Sequence, residues 1–202
     1  MSGWRSPRSC ESTPVVTKRD ESAPVSATRQ RFPEQTRAVR YWDLAGTEPN
    51  SANRDPDVTV GLRLDLHPKS GSFYITDIVR RRLGAGAVEQ LVADTAQRDG
   101  RHVAVRIEQK PGGSGKALIE RYQRHVLRGY TVSGRRVTGP KELRARPVVA
   151  AAENGMLKIV RGPNTNDFLD EVTAFPHGAH DDCVDALSGA TPTSAATTAR
   201  QP

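Results

Sequence analysis

Along the chain, Val58, Val60, Leu62 and Leu64 alternate with Thr59, Gly61 and Arg63. That is the pattern of a strand with one buried face. Before it, Arg40-Tyr41-Trp42-Asp43-Leu44 is short, aromatic and β-prone and predicts a first strand. After it, His67-Pro68-Lys69-Ser70-Gly71 supplies turn chemistry, and Phe73 to Val79 predicts a third strand in an antiparallel meander. Val88, Leu91, Val92 and Ala96 follow helical spacing, with Gly100 as the C-cap. His102 to Ile107 alternates again and predicts a fourth strand, ending at Glu108. Leu118, Ile119, Tyr122 and Val126 mark a helix closed by Gly129. Beyond a short strand, Leu143 to Glu153 predicts a helix and Met156 to Val160 a strand. Phe168 and Leu169 belong to a short helix, and Val184, Leu187 and Ser188 to a last helix starting near Asp181. This order of elements is that of a mixed α/β sheet with helices packed on it. No internal repeat is visible.

Composition narrows the class. The 202 residues are 36% hydrophobic, enough for one modest core. No apolar run reaches the ~18 residues a membrane span needs, and Met1 to Cys10 lacks the apolar stretch of a secretory signal. Cys10 and Cys183 are too far apart in sequence for a CxxC knuckle and too few for a disulfide framework. Residues 1–40, rich in Ser, Thr and Pro, are expected to form a disordered or linker arm. The Thr/Ala-rich segment 191–202 is expected to form a disordered tail. Residues 41–190 then make the folded domain.

Charge adds a second pattern beneath the net +7. Arg101 to Arg146 holds twelve basic residues against Glu108, Glu120 and Glu142, whereas Asp167 to Asp185 holds six acids and no Lys or Arg. A basic stretch suits a polyanion. Clustered carboxylates repel one another unless a cation neutralises them. Taken singly, most of these charges fit an ordinary solvated face.

Several residues carry possible chemistry. Gly112-Gly113-Ser114-Gly115-Lys116 superficially suggests a phosphate loop, but Lys110 stands where its first glycine belongs and Ala117 replaces the metal-binding hydroxyl. It is read as a flexible lead-in to the next helix, touching a nucleic-acid backbone at most. Asp43 inside a strand is costly without a partner, though an exposed face beside Tyr41 would also accommodate it. Glu108 ends the fourth strand, where open α/β sheets present ligands, and equally suits a pairing with Arg106 or Lys110. In His180-Asp181-Asp182-Cys183-Val184-Asp185, the acids at i,i+3 and i,i+4 share a helix face. N-capping explains one or two of them and leaves the third, which argues for a divalent cation. Hard oxygen ligands favour magnesium or manganese. A zinc site from His177, His180 and Cys183 competes but lacks a matching Cys/His pair elsewhere.

Five ordered segments resemble one family. They are Tyr41-Trp42-Asp43-Leu44-Ala45-Gly46-Thr47, Ile107-Glu108, Lys141-Glu142-Leu143-Arg144-Ala145-Arg146-Pro147, Phe168-Leu169-Asp170-Glu171 with Phe175-Pro176, and His180 to Leu187. The chain resembles the C-terminal nuclease domain of tailed-phage terminase large subunits from about Arg40 to Ala190. The resemblance implies a ribonuclease H-like fold with the first and fourth strands adjacent. It also implies a two-metal endonuclease, using two Mg2+ or Mn2+ ions, that cuts concatemeric viral DNA during packaging in the host cytoplasm. Carried over by position, Asp43, Glu108 and Asp182 are the catalytic acids, and Asp181 and Asp185 complete the metal set. Lys141, Arg144 and Arg146 face DNA phosphates, joined by Lys110 and Lys116 near the Gly-rich turn. Partners would be double-stranded DNA, a separate terminase ATPase or small subunit, and the portal, with no membrane.

No ATPase motor fits in residues 1–40, so the expectation is a nuclease domain detached by gene splitting, decay or truncation. Two alternatives remain: another ribonuclease H-like nuclease such as a junction resolvase, and a non-catalytic DNA-binding prophage remnant. A junction resolvase would share the acids but not the Lys141-to-Pro147 context. The intact acid set argues against the remnant.

Overall fold

The computed structural model describes residues 12–14, 33, 35–45, 57–178 and 180–192. Most of the expected arm, the tail from residue 193, the polar loop up to residue 56, and Gly46 and Thr47 of the first motif lie outside the described residues. Those described form strands β1 (Ser12–Pro14), β2 (Arg37–Asp43), β3 (Thr59–Leu66), β4 (Phe73–Arg81), β5 (Ala104–Gln109), β6 (Val132–Arg136) and β7 (Leu157–Val160). The helices are α1 (Ala85–Asp99), α2 (Gly113–Arg121), α3 (Lys141–Glu153), α4 (Thr165–Ala174) and α5 (Asp182–Ala190), with a π-helical turn at Tyr122–Val126 after α2.

One mixed sheet results, in the order β1-β7-β4-β3-β2-β5-β6. β2, β3 and β4 form the antiparallel meander, while β2–β5, β5–β6 and β4–β7 pair in parallel. β2, the first of the long strands, therefore lies beside β5, as the resemblance implied for the first and fourth strands. β1, from within the segment expected to be an arm, adds three antiparallel pairs to the outer edge of β7.

Strand alternation divides the core between two faces. Tyr41, Val60, Leu62 and Leu64 pack with Phe168, Cys183, Ala186 and Leu187 beneath α3, α4 and α5. Trp42, Val105 and Ile107 pack with Val88, Val92, Ile119 and Tyr122 beneath α1 and α2. Each large ring of β2 requires a glycine opposite it. A side chain at Gly61 would run into the Trp42 ring, and one at Gly189 into the Tyr41 ring.

Two local differences from the sequence pattern have physical causes. α2 begins at Gly113, well before the apolar spacing becomes visible. Gly112 takes a positive φ of 94° and Gly115 packs against the Lys110 carbonyl, so the glycines serve a tight turn and a close contact. α3 begins at Lys141, which puts Lys141 and Arg144 one turn apart. Arg40 is 1% exposed inside the sheet, and its guanidinium holds Asp99 through Nε (2.8 Å) and Nη2 (2.9 Å) and Asp77 through Nη2 (2.7 Å).

Candidate active site

The same alternation that sends Trp42 toward α1 sends Asp43 toward α5. On β5, Ile107 faces the α1 side, so Glu108 also turns toward α5. Thr59 fixes the end of β2: its hydroxyl donates to the Ala45 carbonyl at 2.7 Å and accepts the Ala45 N–H at 3.0 Å. α5 lies over this face, with Asp181 at its N-cap and Asp182 and Asp185 in its first turn.

The electrostatics record the convergence. Burial first, then Glu108, Asp182 and Asp185, push the Asp43 carboxyl up to about 8 against a partial offset from Lys110. Burial and Asp185 raise Glu108, opposed by Arg144, by Lys110 and by the Tyr41 hydroxyl, which donates to Glu108 Oε2 at 3.5 Å. Burial and Glu171 raise Asp182, opposed by the Val58 backbone N–H and His180. Tyr41 itself is pushed up by burial and by Glu108 and Asp43, so it stays a hydrogen-bond donor.

The acids of α5 have different partners. Asp185 is buried and doubly paired, with Lys141 Nζ at 3.0 Å and Arg144 Nη2 at 2.8 Å. Asp181 pairs with Lys141 at 2.6 Å. Lys141 is pushed up to about 12 despite burial, by its hydrogen bonds to Asp181 and Asp185. By contrast, Asp182 Oδ2 is buried without a hydrogen-bond partner, and His180 Nδ1 stands 4.0 Å from it. A buried carboxylate oxygen with no donor is costly and calls for a cation.

Asp43, Glu108 and Asp182 therefore offer hard oxygen donors of the kind Mg2+ and Mn2+ take. Among the described residues, no three His, Cys, Asp or Glu side chains are close enough to hold an ion unaided. The zinc alternative has no support here, because the Cys183 side chain is fully buried in the core.

The basic residues read from the sequence divide into two groups. Lys141 and Arg144 contact the acids of α5, whereas Lys110, Lys116 and Arg146 are exposed. Three contributors were not singled out from sequence. Tyr41 shares the face of Asp43, as the sequence reading had it, but that face is covered and not exposed: Tyr41 is fully buried. Glu171 was quoted only within the Phe168-to-Glu171 segment, and its pairing with Arg80 left no local signal. Glu171 Oε1 accepts the Cys183 N–H at 2.6 Å and its Oε2 pairs with Arg80 at 2.9 Å, so α4 fixes the first turn of α5.

Both the sequence and the fold match known proteins. Residues 40–191 match the family described as the terminase RNaseH-like domain. The structure is similar to the large terminase nuclease domain of P22, with a TM-score of 0.56 at 15% identity, covering 79% of this chain and 81% of that one. It is also similar to the large terminase nuclease from thermophilic phage G20c, with a TM-score of 0.54 at 16% identity, covering 80% and 84%. A third similar structure is the large terminase nuclease domain of bacteriophage SPP1, solved with bound Mn, with a TM-score of 0.50 at 14% identity, covering 78% and 85%. At these identities the likeness establishes the fold. No curated protein matches the sequence.

Proposed function

The chain belongs to the terminase RNase H-like domain family, and from that premise we propose that it is a metal-dependent DNA endonuclease hydrolysing phosphodiester bonds in viral DNA during packaging. The observation that supports this reading is that Asp43, Glu108 and Asp182 lie on one face, with Asp43 pushed up to about 8 by burial and its acidic neighbours and one buried Asp182 oxygen without a donor. Two Mg2+ or Mn2+ ions would supply Lewis acidity toward the scissile phosphate and charge compensation for the acids. Asp43, Glu108 and Asp182 would be the direct ligands. Asp181 and Asp185, ion-paired with α3, would set the charge and placement of the α5 turn and complete the set only if Lys141 and Arg144 move to the DNA.

Other residues have roles that need no ion. Tyr41 orients Glu108 by donating to it. Lys110 lowers the cost of gathering Asp43 and Glu108 in one place. Together with Lys116, Arg146 and the α3 pair, it would hold the DNA backbone, which binds without reading sequence. The substrate class is double-stranded DNA, and a terminase ATPase, small subunit and portal would be the partners that deliver it.

Plasmid nicking with Mn2+, Mg2+ or EDTA, beside Asp43→Asn and Asp182→Asn, tests the reading. Metal-dependent cutting lost in both variants supports it. Cutting by Asp43→Asn at the wild-type rate overturns the assignment. Salt-sensitive DNA binding with no cutting in any metal returns the remnant reading.

A further inference from the structure

β6 ends at Arg136 and is the strand on the far side of β5 from β2, which carries Asp43. Two clefts flank this end. One, of about 420 Å3, lies against α3 and α5, and its walls include Arg135, Arg136, Thr138, Arg144 and Thr191. The other, of about 430 Å3, lies against the turn leading into α2, and its walls include Gln109, Gly112, Lys116 and Arg136. Arg136, Val137 and Thr138 are common to both, and no Asp or Glu lines either one. The absence of acids from these walls contrasts with the carboxylate cluster on the adjoining elements.

The cations here are held in different ways. Arg135 is anchored by donating to the Thr191 carbonyl at 2.9 Å. Arg144 pairs with Asp185 through one nitrogen and leaves its buried Nε without a partner. Arg136 and Lys116 are exposed, with no carboxylate in the walls around them. Cations gathered in concave walls without acids repel one another, and an anion removes that repulsion. Register relates them to the acids: Glu108 pairs with Arg135, and Gln109 with Arg136, across the parallel ladder. Arg135 therefore lies on the next strand on the same face as Glu108, and Arg136 faces the α2 side.

We propose that these two clefts form one continuous track for the DNA phosphodiester backbone, centred on Arg136, with Arg135 and Lys116 to either side. The track rests on the nuclease reading for the class of its ligand and adds where the strand runs once past the acids. Its contacts are to phosphate and not to base edges, so binding is independent of base sequence.

The test is fluorescence anisotropy on a fluorescein-labelled DNA duplex of about two helical turns. Titrations run in EDTA, which prevents cutting, between about 50 and 200 mM NaCl. Arg136→Ala and Lys116→Ala are each expected to lower the slope of log K against log salt by about 0.9, and the double variant by about twice that. Arg136→Lys should restore the slope, and Lys69→Ala, in the β3–β4 turn, should leave it unchanged. Melting curves check that the variants remain folded. Unchanged slopes in both alanine variants and their double would overturn the track. That failure is separable from failure of the nuclease reading. Reduced slopes with no metal-dependent cutting by the wild type leave the track standing without the nuclease, and unchanged slopes with cutting do the reverse.

Discussion

Asp43 and Glu108 are the next residues after Trp42 and Ile107, the last pair of the parallel β2–β5 ladder, and both turn to the α5 face. Two half-buried carboxylates on adjacent strands repel each other, and Glu108 is the strongest charged contributor to the raised Asp43. Asp43→Asn removes that repulsion while keeping the shape of the side chain. We expect it to melt higher than wild type in EDTA and to lose cleavage by more than about a hundredfold, since even outer-shell partners of a metal are worth 10–100-fold. Calorimetry beside nicking assays checks both signs. Lower stability together with lost cleavage would indicate a structural role instead.

The pH dependence follows from the same group. Asp43 titrates near its ordinary value of 3.8 in the unfolded chain and at about 8 in the folded one. Between those values the folded state binds more protons, so stability falls as pH rises through the window. Glu108 and Asp182, raised in the same direction, add to the slope. In EDTA the melting temperature is therefore expected to decline from about pH 4 to pH 8, with a shallower decline in Asp43→Asn. Mn2+ should reverse the trend at the alkaline end, because it binds the deprotonated acids.

Glu171 supports a prediction about position. It is 5% exposed, accepts the Cys183 N–H and pairs with Arg80. Glu171→Ala leaves a mostly buried guanidinium unpaired and is expected to cost about 3–5 kcal/mol in urea denaturation. A double-mutant cycle with Arg80→Ala should return a coupling of about 1 kcal/mol or more. Glu171→Gln keeps an acceptor for Cys183 and should preserve Mn2+ affinity better than the alanine variant does.

How far the sequence reveals this molecule depends on range. The β3 alternation, the Gly100 C-cap and the opposite facings of Trp42 and Asp43 follow from local periodicity, and the structure has them. Elements lacking a periodic apolar signal were less visible: β6 reads Val-Ser-Gly-Arg-Arg, and α2 opens on glycines chosen for a turn and a contact. Pairings over long sequence distance left no local trace. Nothing near Lys141 indicates that it faces Asp181 and Asp185, and nothing near Glu171 points to Arg80. The like charges on α5, which the sequence argued to need a divalent cation, have in Lys141 and Arg144 partners for Asp181 and Asp185 that no local pattern announces.

Arg40 provides a case remote from the acids' face. Its guanidinium is 1% exposed and grips Asp99 at the end of α1 with two nitrogens. Arg40→Ala leaves Asp99, itself 9% exposed, with only Arg63 at 3.4 Å, so the loss should fall below the about 3–5 kcal/mol of a fully unpaired buried charge. Arg40→Lys cannot reproduce the two-nitrogen grip and should recover only part of it. Terbium luminescence, reporting cation binding directly, should give wild-type affinity wherever these variants remain folded.

The two ring-facing glycines separate global packing from the site. Gly189 lets α5 lie on the Tyr41 ring, and Tyr41 donates to Glu108. Gly61 lets Trp42 lie flat on β3 on the opposite face. Alanine at either position overpacks the core at a cost of about 1–3 kcal/mol. The consequences for the acids differ, because only Gly189→Ala lifts the helix carrying Asp182 away from the strand carrying Asp43. We therefore expect comparable losses in urea denaturation for the two variants. Cation affinity should fall about tenfold or more in Gly189→Ala, since a displacement of this kind removes support behind the ligands. In Gly61→Ala it should stay near wild type. Equal losses of affinity would mean that the site depends on the whole sheet and not on the seating of α5.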